Sequence, residues 1–84
     1  MNETHTILTK VRDVFKASFN LDPQSVSMET KPRDIPAWDS TGHLSLVSDL
    51  EVAFNISLNV DEMMEMESVR DIVRVIEGKL AKPV

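Results

Sequence analysis

Trp38-Asp39-Ser40-Thr41-Gly42-His43-Leu44 is the stretch that decides how the rest of this chain folds. It reads as a loop that stops abruptly and opens a helix. Asp39 and Ser40 both favour a helix start, because a short side-chain oxygen accepts from the first unpaired backbone N–H groups. A serine at that point sits where those N–H groups and the helix dipole favour negative charge. Ser40 is therefore a good position for a phosphate group. A plain helix cap at Ser40 fits the spacing as well.

Downstream, residues 40–54 form an amphipathic helix. Leu46, Val47, Leu50, Ala53 and Phe54 recur at steps of one and three and make its buried stripe. Thr41, Leu44, Ser45, Ser48, Asp49 and Val52 face elsewhere. Leu44 and Val52 are apolar on that outer face, so they either border the core or form a docking surface. Gly42 weakens the first turn and is expected to leave the space beside Ser40 open. Upstream, residues 20–38 hold Pro23, Pro32 and Pro36 and show no sustained period. A connection this long is either disordered or functional. Leu21, Val26, Met28, Ile35 and Trp38 are spaced along it as anchors, which favours order. The expectation is a loop that crosses the bundle from end to end, with one helical turn near Pro23–Val26.

The remaining elements follow the same logic. Residues 4–18 carry Ile7, Leu8, Val11, Val14, Phe15 and Ser18 on one helical face, with Thr4 or Thr6 as the cap. That helix should end near Phe19-Asn20, ahead of Asp22-Pro23. Residues 60–65 make a short helix capped by Asn59 or Asp61, with Asp61 and Glu62 at its positive end. Met63, Met64 and Met66 are adaptable side chains that fill a small core or offer a pliable surface. Residues 68–80 form the last helix, opened by the capping-box pattern Ser68-Val69-Arg70-Asp71. Val69, Ile72, Val73, Ile76 and Leu80 supply its apolar face. Gly78 and Pro83 weaken and end it, Lys79 and Lys82 suit its negative end, and residues 81–84 make a loose tail. The fold class is all-α: one domain over residues 1–84, a small bundle of three main helices plus one short helix, with a long loop between helices one and two.

Composition narrows the function. The chain has 84 residues, no cysteine and a net charge of −5. Disulfides and thiolate metal sites are excluded, and His5 and His43 lack ligand-like spacing, so no metal site is expected. No apolar run spans a membrane, and the N-terminus lacks a signal peptide's apolar core. The expected setting is the cytoplasm, away from membranes. Residues 39–67 hold seven acids (Asp39, Asp49, Glu51, Asp61, Glu62, Glu65, Glu67) and no lysine or arginine. That one-signed segment argues against nucleic acid as a partner. It fits either a solvated face or attraction to basic patches on partner proteins.

At this point the pattern resembles the acyl carrier protein family and its peptidyl and aryl relatives, over nearly the whole chain. Asp39-Ser40 resembles the Asp-Ser-Leu motif whose serine receives 4′-phosphopantetheine from coenzyme A. Leu46-Val47, Leu50-Glu51 and Ala53-Phe54 are similar to the family's second helix. Phe54-Asn55-Ile56, Leu58, the short acidic helix and Ser68-Val69 follow at the family's spacing, with no insertion from Asp39 to Val69. Thr41 stands where the family usually has leucine. Ser45 and Ser48 replace acids and bulky apolar residues on the outer face. These departures set the chain apart from a general fatty-acid carrier, and the Trp38-Asp39-Ser40 and Gly42-His43 pairing resembles stand-alone carriers of specialised pathways.

The resemblance implies covalent phosphopantetheine on Ser40, flanked by Asp39 and Thr41, with Asp39 contacting the metal of the modifying enzyme. It implies partner contacts through Leu44, Ser45, Ser48, Asp49, Val52 and Glu62. The implied partners are a phosphopantetheinyl transferase and acyl-loading ligases or synthases, meeting a monomeric carrier that catalyses nothing itself. The cargo is an acyl thioester in fatty-acid, polyketide or related biosynthesis. An aminoacyl or D-alanyl carrier, or an unmodified helical interaction module, is the alternative. A hydrolase is excluded by geometry: Asp39, Ser40 and His43 on one helix start cannot form a nucleophile, base and orienting acid.

Overall fold

The apolar stripe at the start of the chain winds into α1 (Glu3–Phe19). It buries Ile7, Val11, Val14 and Phe15. Phe15 meets Phe19 and Trp38 edge-on, with ring centroids 5.5 and 5.1 Å away, a favoured aromatic geometry. The helix stops where Asn20 turns left-handed at φ 57° and its N–H donates to the Lys16 carbonyl at 2.8 Å. Asparagine is one of the few residues besides glycine that visits this region readily. Thr4 and Thr6 lie inside the helix and not at its cap. Thr4 Oγ1 instead donates to the Glu77 carboxylate of the last helix. The computed structural model describes residues 3–81.

The connection at 20–38 is ordered by its own polar bonds. Asp22 caps a 3₁₀ turn at Pro23–Ser25, accepting from Gln24 N–H at 2.9 Å. The sequence reading anticipated that turn but not a second at Pro32–Asp34, where the Asp34 carboxylate accepts from Lys31 N–H at 2.9 Å. Val26, Ile35 and Trp38 are buried, and Leu21 and Met28 pack half-buried against them. The expectation that the loop crosses the bundle end to end is not met. Phe19, where it starts, lies 6.4 Å from the Trp38 ring, where it finishes. Between those points it folds back along α1, where Arg12 Nε donates to the Val26 carbonyl at 2.8 Å.

Three further helices complete the chain: α2 (Ser40–Phe54), α3 (Val60–Glu65) and α4 (Val69–Ala81). α2 ends as α1 does, on a left-handed asparagine, Asn55 at φ 55°. Ile56 N–H then donates back to the Glu51 carbonyl at 3.1 Å, a Schellman closure. α3 is opened by a reciprocal cap in which Asn59 Oδ1 accepts from Glu62 N–H at 2.8 Å and Glu62 Oε1 accepts from Asn59 N–H at 2.9 Å. Asn59, not Asp61, is therefore its cap.

At α4, Ser68 Oγ accepts from Asp71 N–H at 3.2 Å. The Asp71 carboxylate reaches back one residue further than a standard capping box, to Glu67 N–H at 3.3 Å. Val69 and Arg70 N–H donate to the carbonyls of Thr30 and Met28 at 2.9 and 3.0 Å. The connection thus satisfies donors that any helix start leaves open, and it explains why Thr30 is buried.

α1 and α2 run antiparallel: Phe19 faces Trp38, Ser18 Oγ donates to the Asp49 carboxylate, and Lys10 Nζ sits 5.1 Å from the Phe54 ring centre. The core is a single cluster drawn from α1, α2, α4 and the connection. At its edges one expectation fails and one open choice is resolved residue by residue. Leu80 is 49% exposed and lies off the stripe that Val69, Ile72, Val73 and Ile76 form. The three methionines divide: Met66 is buried, Met63 half-buried, and Met64 71% exposed. The fold is all-helical among the described residues, and none of those helices is long and apolar enough to cross a membrane. Lys82, Pro83 and the tail beyond Ala81 lie outside the described residues.

Candidate functional site

The helix start at 38–44 is assembled from three directions. Trp38 is anchored in the core, and its N–H donates to the Ile35 carbonyl at 2.9 Å. Asp39 is the cap of α2: its carboxylate accepts from Gly42 N–H at 2.8 Å, and its carbonyl accepts from His43 N–H at 2.7 Å. Ser40 is therefore the first helical residue and not the cap. It is exposed, and its hydroxyl has no protein partner among the described residues. The N–H groups of Ser40 and Thr41 belong to the first turn, which has no intrahelical acceptor for them.

Gly42 has a different role from the one expected of it. A Cβ there would lie 1.9 Å from the Ala37 carbonyl oxygen. Its missing side chain lets the connection's backbone press against the first turn; it does not clear space beside Ser40. His43, to which the sequence reading gave no part in holding the fold, is the joint of the site. Trp38 Nε1–H donates to His43 Nδ1 at 2.9 Å, and the rings stack with centroids 6.2 Å apart. An indole nitrogen only donates, so Nδ1 must be the acceptor and Nε2 carries the proton. Nε2–H then donates to the Met63 carbonyl of α3 at 2.9 Å. The pattern Trp-x4-His was visible in the sequence, but the partner on α3 was not.

Beside Ser40 lies an open, mainly apolar groove of about 600 Å³, walled by Trp38, His43, Leu44, Val60, Met63 and Met64. Leu44 is 59% exposed and forms part of that wall. Val52 is 82% exposed and lies elsewhere, on a groove between α1 and α2. Thr41, Ser45 and Ser48 are exposed along α2. The remaining acids split by use. Glu51 accepts from Leu58 N–H at 2.8 Å. Asp49 is engaged by Ser18. Glu62, besides capping α3, pairs with Lys79 Nζ at 2.9 Å. Asp61, Glu65 and Glu67 are exposed, and their carboxylates hold no hydrogen bond or ion pair among the described residues. The carboxylates without a hydrogen bond thus lie on α3 and just beyond it, while Asp49 and Glu51 of α2 keep their charge under neutral donors.

The geometry is that of a small helical bundle with an exposed serine at the positive end of a helix, next to an apolar groove. The comparisons with known proteins say what the chain is similar to. The chain is 34% identical over 76 residues to an acyl carrier protein of Campylobacter concisus, covering 90% of this chain and 97% of that one. It is 32% identical over 75 residues to the acyl carrier protein of Phytoplasma australiense, covering 89% and 99%. It is also 34% identical over 70 residues to a non-reducing polyketide synthase, tazA, of Aspergillus terreus, matching 83% of this chain and 3% of that protein. No family model matches. The chain belongs to the acyl carrier protein family. It is a carrier in acyl biosynthesis and not a catalyst. The family implies a phosphopantetheine group in general terms.

Proposed function

We propose that Ser40 carries 4′-phosphopantetheine and that this chain presents acyl thioesters on it to partner enzymes. One observation supports this above the others: Asp39 takes the capping position, so the Ser40 hydroxyl is left exposed and unengaged at the helix start. A residue serving only as a cap would have its oxygen on the backbone. The residues present suit the group. A phosphate on Ser40 Oγ would meet the first-turn N–H groups of Ser40 and Thr41 and the positive end of α2. When bound, the arm supplies a terminal thiol that holds the cargo as a thioester.

The chain's own residues do the positioning. Asp39 fixes the turn, Gly42 lets Ala37 close on it, and the Trp38–His43 pair keeps the turn on the bundle. Tethering raises the effective concentration of cargo without tight binding. Leu44, Ser45 and Ser48 beside Ser40, with Asp61, Glu65 and Glu67 on the neighbouring face, form the surface we assign to transferase and loading or synthase partners. Asp49 and Glu62 belong to its rim, where each is already engaged within the chain. Weak, fast docking steered by charge suits a monomeric carrier that must leave each partner in turn.

The test is intact mass after incubation with coenzyme A, Mg²⁺ and a promiscuous phosphopantetheinyl transferase. The wild type is expected to gain one phosphopantetheine, and Ser40→Ala none. A folded wild type that gains nothing sinks this reading and leaves an unmodified interaction module. If the arm is attached but accepts only aminoacyl groups, the aminoacyl alternative holds.

A further inference from the structure

α3 has little of its own to hold it beside Ser40. None of its residues is fully buried, and its ion pair, Glu62 with Lys79 Nζ at 2.9 Å, runs to α4. Its link to the helix that carries Ser40 is His43, on the same face of α2 one turn further on. There Nε2–H donates to the Met63 carbonyl at 2.9 Å. The ring is itself held, because Nδ1 accepts from Trp38 Nε1–H at 2.9 Å and Trp38 is buried. The Met63 carbonyl is thus tied to a core residue by two hydrogen bonds in series. A neutral imidazole suits this place, since it offers an acceptor and a donor on one rigid plane. Met63 lies between Asp61 and Glu65. Both carboxylates are exposed and hold no hydrogen bond or ion pair among the described residues.

We propose that His43 is a positioning residue for the loading of Ser40. Through Met63 it holds α3 in register with the serine, so that one partner surface meets both. This rests on the modification of Ser40 and on the docking surface proposed above. The partner is a transferase whose basic groups meet the acids of α3 while its active site takes Ser40. Both ring nitrogens of His43 are engaged within the chain, so it is not a base for the serine. The turn that presents Ser40 is fixed separately, by the Asp39 carboxylate on Gly42 N–H and the Asp39 carbonyl on His43 N–H. Loss of the imidazole therefore frees α3 and leaves that turn in place. Docking suffers, and the chemical step does not.

The experiment measures phosphopantetheine transfer to the full chain by intact mass, over a series of carrier concentrations, for wild type, His43→Phe and His43→Gln. Phenylalanine keeps a ring beside Trp38 and loses both bonds, whereas glutamine keeps an acceptor and a donor. In His43→Phe the KM for the carrier should rise about three- to tenfold, the worth of one hydrogen bond, with kcat held. His43→Gln should restore most of the wild-type KM. Amide exchange in His43→Phe should quicken over residues 60–65 and not over α1. Glu65→Gln combined with Glu67→Gln should raise KM in the wild type and add little in His43→Phe, because both changes then remove the same docking contact. Circular dichroism checks each fold. If His43→Phe is unfolded, Trp38→Phe, which frees the ring by removing the indole donor, is read by the same criteria. An unchanged KM, a loss carried by kcat, unchanged exchange over 60–65, full additivity, or a glutamine variant as impaired as the phenylalanine one overturns the positioning role. No mass gain on the wild type overturns the Ser40 reading and this one together, whereas a gain with any of those results overturns this one alone.

Discussion

α3 and the frame around it are held by different forces. α1, α2 and α4 meet through buried side chains, with Val11, Phe15, Leu46, Leu50, Ile72 and Ile76 out of contact with water. α3 buries no residue fully. What holds it is largely polar: its own capping box, the Glu62–Lys79 pair and the Met63 carbonyl under His43, with the Met63 side chain packing half-buried against the core. Burial is worth about 1.5–3 kcal/mol per large apolar side chain, and a hydrogen bond about 1 kcal/mol net. The frame is therefore the stable unit, and α3 belongs to the low end of the stability range, where moving parts are drawn from. That low end faces Ser40, where a carrier must admit successive partners.

Mutations should separate the two regions. Phe15→Ala removes the ring that joins α1 to Trp38 and should cost about 3–5 kcal/mol. That is a large share of the roughly 5–15 kcal/mol available to a small domain. Thermal melting followed by circular dichroism should show the whole bundle destabilised; loss confined to one helix would contradict a single cooperative frame.

The glycines make a sharper pair. At Gly42 a Cβ would stand 1.9 Å from the Ala37 carbonyl oxygen, while at Gly78 nothing lies within 4 Å. Gly42→Ala should cost about 1–3 kcal/mol through backbone displacement, despite alanine's better helix propensity. Gly78→Ala should gain about 0.5–1 kcal/mol. Urea denaturation of both variants checks the opposite signs, and equal signs would mean that the close approach at Ala37 is not restrictive.

The smallest effect is expected at α3. Glu62→Gln weakens the pair with Lys79 and should cost about 0.5–1 kcal/mol. Amide exchange should quicken over residues 59–65 while the amides of α1 keep their protection. Uniform quickening would place α3 inside the frame.

What the sequence revealed follows the same division. The long periodic stripes placed α1, α2 and α4 within a residue or so, because burial imposes helical period on the residues that do it. Asn59 and Glu62 marked α3 by cap chemistry, and Asp39-Ser40 marked the start of α2. The polar cross-links left little trace. That His43 bridges Trp38 and Met63, and that Met28 and Thr30 offer carbonyls to α4, depends on backbone groups that every residue carries. Leu80 was misplaced for the opposite reason: it keeps the apolar identity of the stripe but lies beyond the turn where the core ends. Gly42 was misread because a missing side chain does not say which neighbour requires its absence.

The carbonyls of Met28 and Thr30 that close the first turn of α4 have a consequence for how the protein is made. They join segments about forty positions apart, so the entropy of closing that long loop is met only once the C-terminal helix exists. A chain still emerging from the ribosome lacks that partner, and the segment leading into Ser40 has no lid to settle against. The packing of the segment that leads into Ser40 therefore depends on α4 being in place.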